Sequence, residues 1–283
     1  MNLKKMLIIC FIGFCFISCG EDLVPFGSYL WRAPPVYDDS GATRTLNVAA
    51  VSFNVDLSPE VNREKMIRFI DKIKTEKPDV RLILFPETTL GYYYRPSKPH
   101  EYQKSIAETI PGITTTALSQ KSIEHQIYIS FGIVEISGNN LYNSQVLIGP
   151  DGTILSVHHK NHLIDWDKEN SIKAGSGITL NVIDNIKVAT IVCYDSMSYK
   201  INQEIHKSGA EFVLLPVANT TSFTGDLTPL SQFVYTWVLS ANRVGNEDGT
   251  DYDGLLFLNT PSGETRTKTD GTEGYIYGVI KCK

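Results

Sequence analysis

From residue 46 onward, apolar and polar positions follow two rhythms. Leu46 to Phe53 is an apolar run that predicts a first strand. Ser58 and Pro59 suit the cap and first position of a helix. Met66, Phe69, Ile70 and Ile73 then fall at i, i+3, i+4 and i+7, so this helix buries one face. Pro78 stops it. A strand over 80–85 follows, then a helix near 114–125 and a strand from Ile127 to Val134 with Gly132 inside it. Ser144 to Val157 reads as a hairpin turning at Gly149-Pro150-Asp151-Gly152. Further strands are expected near 179–183, 186–192 and 211–217, with a helix from about 199 to 208 before the last. Strands alternating with amphipathic helices signal an α/β protein. No internal repeat or heptad interrupts the pattern.

Three of these strands end in chemistry. The run Val80 to Phe85 closes on Pro86-Glu87-Thr88-Thr89, and the hairpin runs into His158-His159-Lys160-Asn161-His162-Leu163. Val188 to Val192 is followed by Cys193-Tyr194-Asp195. A carboxylate, an amine and a thiol thus each follow a strand, 73 and 33 residues apart. A side chain so placed is held rigidly on one side and faces open space on the other. Phe-Pro-Glu, Lys-x-His-Leu and Cys-Tyr-Asp, in this order, resemble the three signature blocks of the nitrilase superfamily of carbon–nitrogen hydrolases, over residues 46 to 281.

The resemblance implies a single-domain, four-layer α-β-β-α sandwich, with two sheets face to face and helices outside, where periodicity alone indicates only α/β. It also implies a homodimer built through an outer helical layer. The implied reaction is cleavage of a non-peptide carbon–nitrogen bond in a small amide-type substrate, through a cysteine thioester, without cofactor or metal. A thiol at its resting pKa of about 8.5 is a poor nucleophile and needs a base or a local positive charge. Glu87 is the implied base, taking the Cys193 proton and passing it to the leaving amine. Lys160 and the backbone N–H of Tyr194 would stabilise the tetrahedral species, where losing one donor typically costs about 3 kcal/mol. Many members hold a second glutamate shortly before a glycine. Glu169, ahead of Gly175, is the matching position for orienting Lys160 and the attacking water, with Asp165 and Asp167 as competitors.

Leu214 to Thr220 resembles a pocket-lining block, and Ala241 to Glu247 and Thr260 to Glu264 resemble the carboxy-terminal blocks. Only 22 residues separate Asn219 from Ala241, where members usually fit a longer helix and another strand. The shortening bears on the dimer surface and one pocket wall, not on the three catalytic positions.

The amino terminus has a separate meaning. Lys4 and Lys5 precede an apolar run from Met6 to Ile17, too short to span a bilayer as a stable helix. Residues 1–18 read as a signal peptide, and Phe16-Ile17-Ser18-Cys19 resembles a bacterial lipobox, whose cysteine is diacylated and becomes the new first residue. The competing reading is an ordinary secretory signal with an incidental cysteine. Lipidation at Cys19 would give membrane attachment by palmitate-like chains, about 0.8 kcal/mol per buried methylene. The expected mature protein is an extracytoplasmic lipoprotein of the bacterial cell envelope, with a tether over 19–45 and the catalytic domain over 46–283. Tyr29, Trp31 and Tyr37 make that tether more apolar than a pure linker needs.

Composition narrows the remaining choices. The chain has 283 residues and a formal charge of −5, without a basic cluster, which argues against nucleic acid as a partner. Cys193 and Cys282 are expected to be free thiols, since a disulfide would consume the nucleophile. A papain-like Cys-His enzyme would need one histidine placed by an Asn or Asp, and no motif nominates one. A metal site at His158, His159 and His162 would use two ligands at most, because adjacent strand residues face opposite ways. An extracytoplasmic N-acyltransferase with the same triad, or a catalytically silent interaction module with the same fold, are the remaining alternatives.

Overall fold

The computed structural model describes residues 36–95, 97–222, 228–269 and 271–283. The signal peptide, Cys19 and most of the tether lie outside the described residues. The elements run β1 (Arg44–Asn54), α1 (Pro59–Glu76), β2 (Leu82–Leu84), α2 (Pro99–Ile106), α3 (Ile113–His125), β3 (Tyr128–Ser137), β4 (Asn140–Ile148) and β5 (Ile154–His159). They continue with α4 (Asp165–Glu169), β6 (Ile172–Lys173), β7 (Thr179–Ile183), β8 (Ile186–Thr190), a 3-10 turn (Cys193–Met197) and α5 (Tyr199–Ser208). The rest are β9 (Phe212–Pro216), α6 (Thr228–Val234), β10 (Trp237–Glu247), β11 (Thr250–Asp253), β12 (Phe257–Asn259), β13 (Thr265–Lys268) and β14 (Gly274–Cys282).

The hydrogen-bonded order is β5-β4-β3-β2-β1-β10-β9-β8-β7. β10 joins the two halves: Trp237 to Ala241 pair with β9, and Asn242 to Val244 pair with β1. Period-2 alternation then builds four layers. Leu46, Val48, Ala50, Leu82 and Leu84 from one half meet Val188, Phe212, Leu214 and Leu239 from the other between the sheets. The alternate residues Ala49, Val51, Ile83 and Phe85 face out and are covered by Met66, Ile70 and Ile73 of α1 and Leu118 of α3. On the other outer face, Ala189, Val213, Leu215 and Val238 are covered by Ile201 and Ile205 of α5 and Leu230 and Val234 of α6. This is the expected α-β-β-α sandwich.

Local chemistry sets the helix ends. Ser58 Oγ accepts the Val61 N–H at 3.4 Å, with Pro59 opening α1. Gly209, in the left-handed conformation, closes α5. In the shortened stretch after Asn219, the seven-residue α6 packs on α5 before β10 begins. At the other end of the chain, the Tyr37 ring meets Trp237 edge-on and its hydroxyl donates to the Lys281 carbonyl, so this part of the expected tether packs on the domain. β1 begins at Arg44, inside the expected tether. No helix among the described residues is long and apolar enough to cross a membrane.

Candidate active site

Glu87, Lys160 and Cys193 follow β2, β5 and β8, and the fold brings those three strand ends together. Glu87 is fully buried. Its turn lies against β3 because position 132 is glycine: a Cβ there would meet Thr88 N at 2.4 Å and Pro86 O at 2.6 Å. The Gly132 N–H donates to the Pro86 carbonyl at 3.1 Å, and Thr89 N–H donates to the Gly132 carbonyl at 2.7 Å. The isolated glycine in the strand marks this close backbone approach.

The two oxygens of Glu87 are treated differently. Oε1 accepts from Asn143 Nδ2 at 2.6 Å and from Lys160 Nζ at 2.9 Å. Oε2 has no nitrogen or oxygen donor among the described residues, and the Cys193 thiol hydrogen-bonds this carboxylate. Lys160 is also fully buried; its ammonium donates to Glu87 Oε1 and to the Tyr93 hydroxyl at 2.9 Å, and it forms an ion pair with Asp167 Oδ2 at 2.8 Å. Tyr93 in turn donates to Asp167 Oδ1 at 2.7 Å. Burial alone would lower the Lys160 ammonium, but the charges of Glu87 and Asp167 overcome it and hold it well above its usual value. Lys160 is therefore a permanent cation. Burial, then the Asp167 and Glu87 charges, push the Tyr93 phenol well up, so it stays neutral.

Cys193 opens the 3-10 turn with φ 48°, a left-handed conformation that costs a non-glycine residue about 1–3 kcal/mol. Its side chain is only partly exposed. Burial, then the Glu87 charge, push the thiol up, while Lys160 and the Ala218 N–H pull it down; the net direction is upward. The resting group is a thiol. The N–H of Tyr194 stands at the start of the same turn, where N–H groups have no partner within the turn.

A second buried carboxylate ties the thiol turn to the lysine loop. Asp195 accepts the N–H groups of His162 at 2.7 Å, Asn161 at 2.9 Å and Val192 at 3.1 Å, and it meets His158 Nε2 at 3.2 Å. Burial would raise its pKa, but the hydrogen bonds of His158 and His162 hold it well below the usual carboxylate range.

The family model for carbon-nitrogen hydrolases matches residues 47–259. The chain belongs to the carbon–nitrogen hydrolase family. It is 29% identical over 234 residues to a nitrilase of Pyrococcus abyssi (strain GE5 / Orsay), covering 81% of this chain and 86% of that protein. It is 27% identical over 195 residues to an (R)-stereoselective amidase of a Pseudomonas species, covering 67% of each. Among solved structures, an amidase from Nesterenkonia sp. superposes with TM-score 0.74 at 17% identity, covering 86% of this chain and 93% of that one. Saccharomyces cerevisiae Nit3, of branch 10 of the nitrilase superfamily, gives 0.74 at 19% identity, covering 85% and 91%. These likenesses share the fold.

This carbon–nitrogen hydrolase brings Glu87, Lys160 and Cys193 into one site, with the Tyr194 N–H at its edge. Glu169 is a correction. It is exposed at the end of α4, where its carboxylate accepts the Tyr94 hydroxyl, and the acid on Lys160 is Asp167, two residues earlier and one-half turn round the helix. The histidines hold protein groups. His158 and His162 face Asp195, while His159 points the other way to Glu135 at 2.7 Å and stacks on Tyr142. Cys193 and Cys282 are both free. Asn143, Tyr93 and the structural role of Asp195 were missed by sequence reasoning. Asn143 lies in a strand whose period could equally have turned it outward, but Asp195 stood in the Cys-Tyr-Asp block itself.

Proposed function

We propose that this hydrolase cleaves a small amide-type substrate through an acyl thioester on Cys193, with Glu87 as proton carrier and Lys160 as fixed charge. The observation that carries the reading is the division of labour at Glu87. One oxygen is pinned by Asn143 and Lys160, and the other has no nitrogen or oxygen donor among the described residues, on a carboxylate hydrogen-bonded by the protonated Cys193 thiol.

The steps follow from that arrangement. Glu87 Oε2 takes the thiol proton as sulfur attacks the substrate carbonyl carbon, and the carbonyl oxygen becomes an oxyanion. The Tyr194 N–H donates to it. Lys160 acts by its fixed charge. As the carbon–nitrogen bond breaks, Glu87 returns the proton to the leaving nitrogen. Water then attacks the thioester, Glu87 takes a proton from it, the carbon–sulfur bond breaks, and the proton passes back to sulfur. The Ala218 N–H steadies the thiolate as it leaves.

The test is a panel of amides, N-carbamoyl compounds and nitriles, with ammonia or amine release measured for wild type and Cys193→Ala. Release by wild type alone is expected. Equal release by both proteins would end the reading, whereas transfer to an added amine in preference to water would redirect it to an N-acyltransferase.

The reading extends to placement. Lys4, Lys5, the apolar run and Ser18-Cys19-Gly20 support diacylation at Cys19 and an extracytoplasmic, membrane-attached enzyme of the bacterial envelope. Expression in a lipoprotein-competent bacterium with a fatty-acid analogue should label wild type and not Cys19→Ser. The homodimer implied by the family resemblance is read by sedimentation of the detergent-free domain.

A further inference from the structure

Behind the Glu87 turn lies a buried ion pair that the reaction does not touch. Arg243 and Glu247, both on β10, are fully buried and bond through Nε to Oε1 at 2.7 Å and Nη2 to Oε2 at 2.6 Å. The remaining donors of the guanidinium all go to one segment. Nη1 donates to the Glu87 carbonyl at 3.0 Å, to Thr88 Oγ1 at 2.9 Å and to the Thr88 carbonyl, and Nη2 donates to the Gly91 carbonyl at 2.8 Å. Glu247 Oε2 accepts the Tyr93 N–H at 3.0 Å. The backbone of residues 87–93 is thus curled around a single charged pair.

We propose that Arg243 and Glu247 are the positioning pair of the site: they hold the backbone of Glu87 and of Tyr93, and through them aim the free Glu87 oxygen at the Cys193 sulfur. The claim rests on the reading of Glu87 as base and Cys193 as nucleophile. Three observations support it. Thr88 is held at φ 47°, a conformation it would leave without over-determined support. A buried ion pair is a poor choice for stability alone, since apolar residues of similar volume often serve as well or better. And the fork of Arg243 matches several carbonyls at fixed angles, which a lysine cannot do. The pair reaches Lys160 as well, because the Tyr93 that Glu247 anchors puts its hydroxyl on Lys160 Nζ.

The test needs no substrate. The rate of Cys193 alkylation by iodoacetamide is measured against pH by mass spectrometry of the Cys193 peptide, in wild type, Glu87→Gln, Arg243→Lys and Glu247→Gln. On that reading Glu87 takes the thiol proton as sulfur attacks, so Glu87→Gln should slow alkylation near pH 8 by about tenfold and leave a profile that rises only with the thiol's own ionisation. If the pair aims Glu87, Arg243→Lys and Glu247→Gln should change the profile the same way, with about threefold to tenfold slower alkylation. A merely structural role would lower the melting temperature and leave the profile where it is. If Arg243→Lys does not fold, Glu247→Gln carries the test. Unmoved profiles in the folded pair variants, beside a moved one in Glu87→Gln, overturn the proposal. An unmoved profile in Glu87→Gln itself brings down the reading of Glu87 and Cys193, and the positioning claim falls with it.

Discussion

Glu87 and Asp195 are both buried carboxylates on turns beside the same thiol, and the protein treats them in opposite ways. Asp195 has donors on both oxygens: His162 and Asn161 N–H groups on Oδ1, Val192 N–H and the His158 ring on Oδ2. Glu87 has two donors on Oε1 and no nitrogen or oxygen donor from the described residues on Oε2. A saturated carboxylate can only hold its surroundings, because moving a proton to it would break bonds already made. A half-saturated one stays oriented and keeps a place for a proton. Leaving a buried acceptor unpaired costs about 1–3 kcal/mol, and at Glu87 that oxygen belongs to the carboxylate beside the Cys193 thiol.

The comparison breaks most visibly in turnover. Glu87→Gln keeps the shape and the bonded oxygen but removes the proton acceptor and the charge paired with Lys160, so turnover should fall by about 10³-fold or more, well beyond what the accompanying drop in melting temperature accounts for. Initial rates and a thermal melt on the same preparation check both halves. A variant that moves Glu87 without changing it should do less. Gly132→Ala would place a Cβ 2.4 Å from Thr88 N and push the turn away. Displacement of that order costs up to about 10²-fold in turnover, read from kcat on the folded fraction.

Asp195→Asn should show the reverse balance. Turnover should survive, but the loss of charge-assisted bonds should cost about 2–3 kcal/mol of stability, seen as a lower urea midpoint. The pH sign follows from the depressed pKa. Asp195 titrates lower in the fold than in the unfolded chain, where an aspartate has a pKa of about 3.9. Its contribution is therefore complete above that pH and is lost as the pH falls through the folded-state value. Asp71, Glu135, Asp184 and Glu211 are also lowered, so the variant should lose one share of the acid slope and not the whole.

The smallest effect belongs to Glu169→Gln. An exposed side chain paired with Tyr94 leaves Lys160 to Asp167, so turnover should stay within about twofold of wild type, under 1 kcal/mol. Asp167→Asn, in the same assay, should be much more damaging.

These contrasts also separate what the sequence could reveal from what it could not. Glu87, Lys160 and Cys193 were legible because each follows a strand whose apolar run is local in the chain. Met66, Ile70 and Ile73 were legible as a buried face for the same reason. Gly132 stood out inside its strand, but the turn it accommodates did not. The choice between Asp167 and Glu169 was not legible: α4 has five residues, too few for a period, so the facing of each acid depends on the loop around it. The layers followed from alternation only once β10 was seen to change partners halfway along its length. Arg243 and Glu247 stood in a carboxy-terminal block, but their task was hidden because their partners lie more than 150 residues earlier in the chain.

On the proposed mechanism, the thiol of Cys193 becomes acylated while Glu87 moves its proton. Acid-quenched single-turnover mass spectrometry with an amide that the enzyme hydrolyses tests it directly. An acyl adduct should appear on the Cys193 peptide and decay in wild type, and should form far more slowly in Glu87→Gln. Undiminished turnover in Cys193→Ala, or an acyl group carried on another residue, would contradict the account.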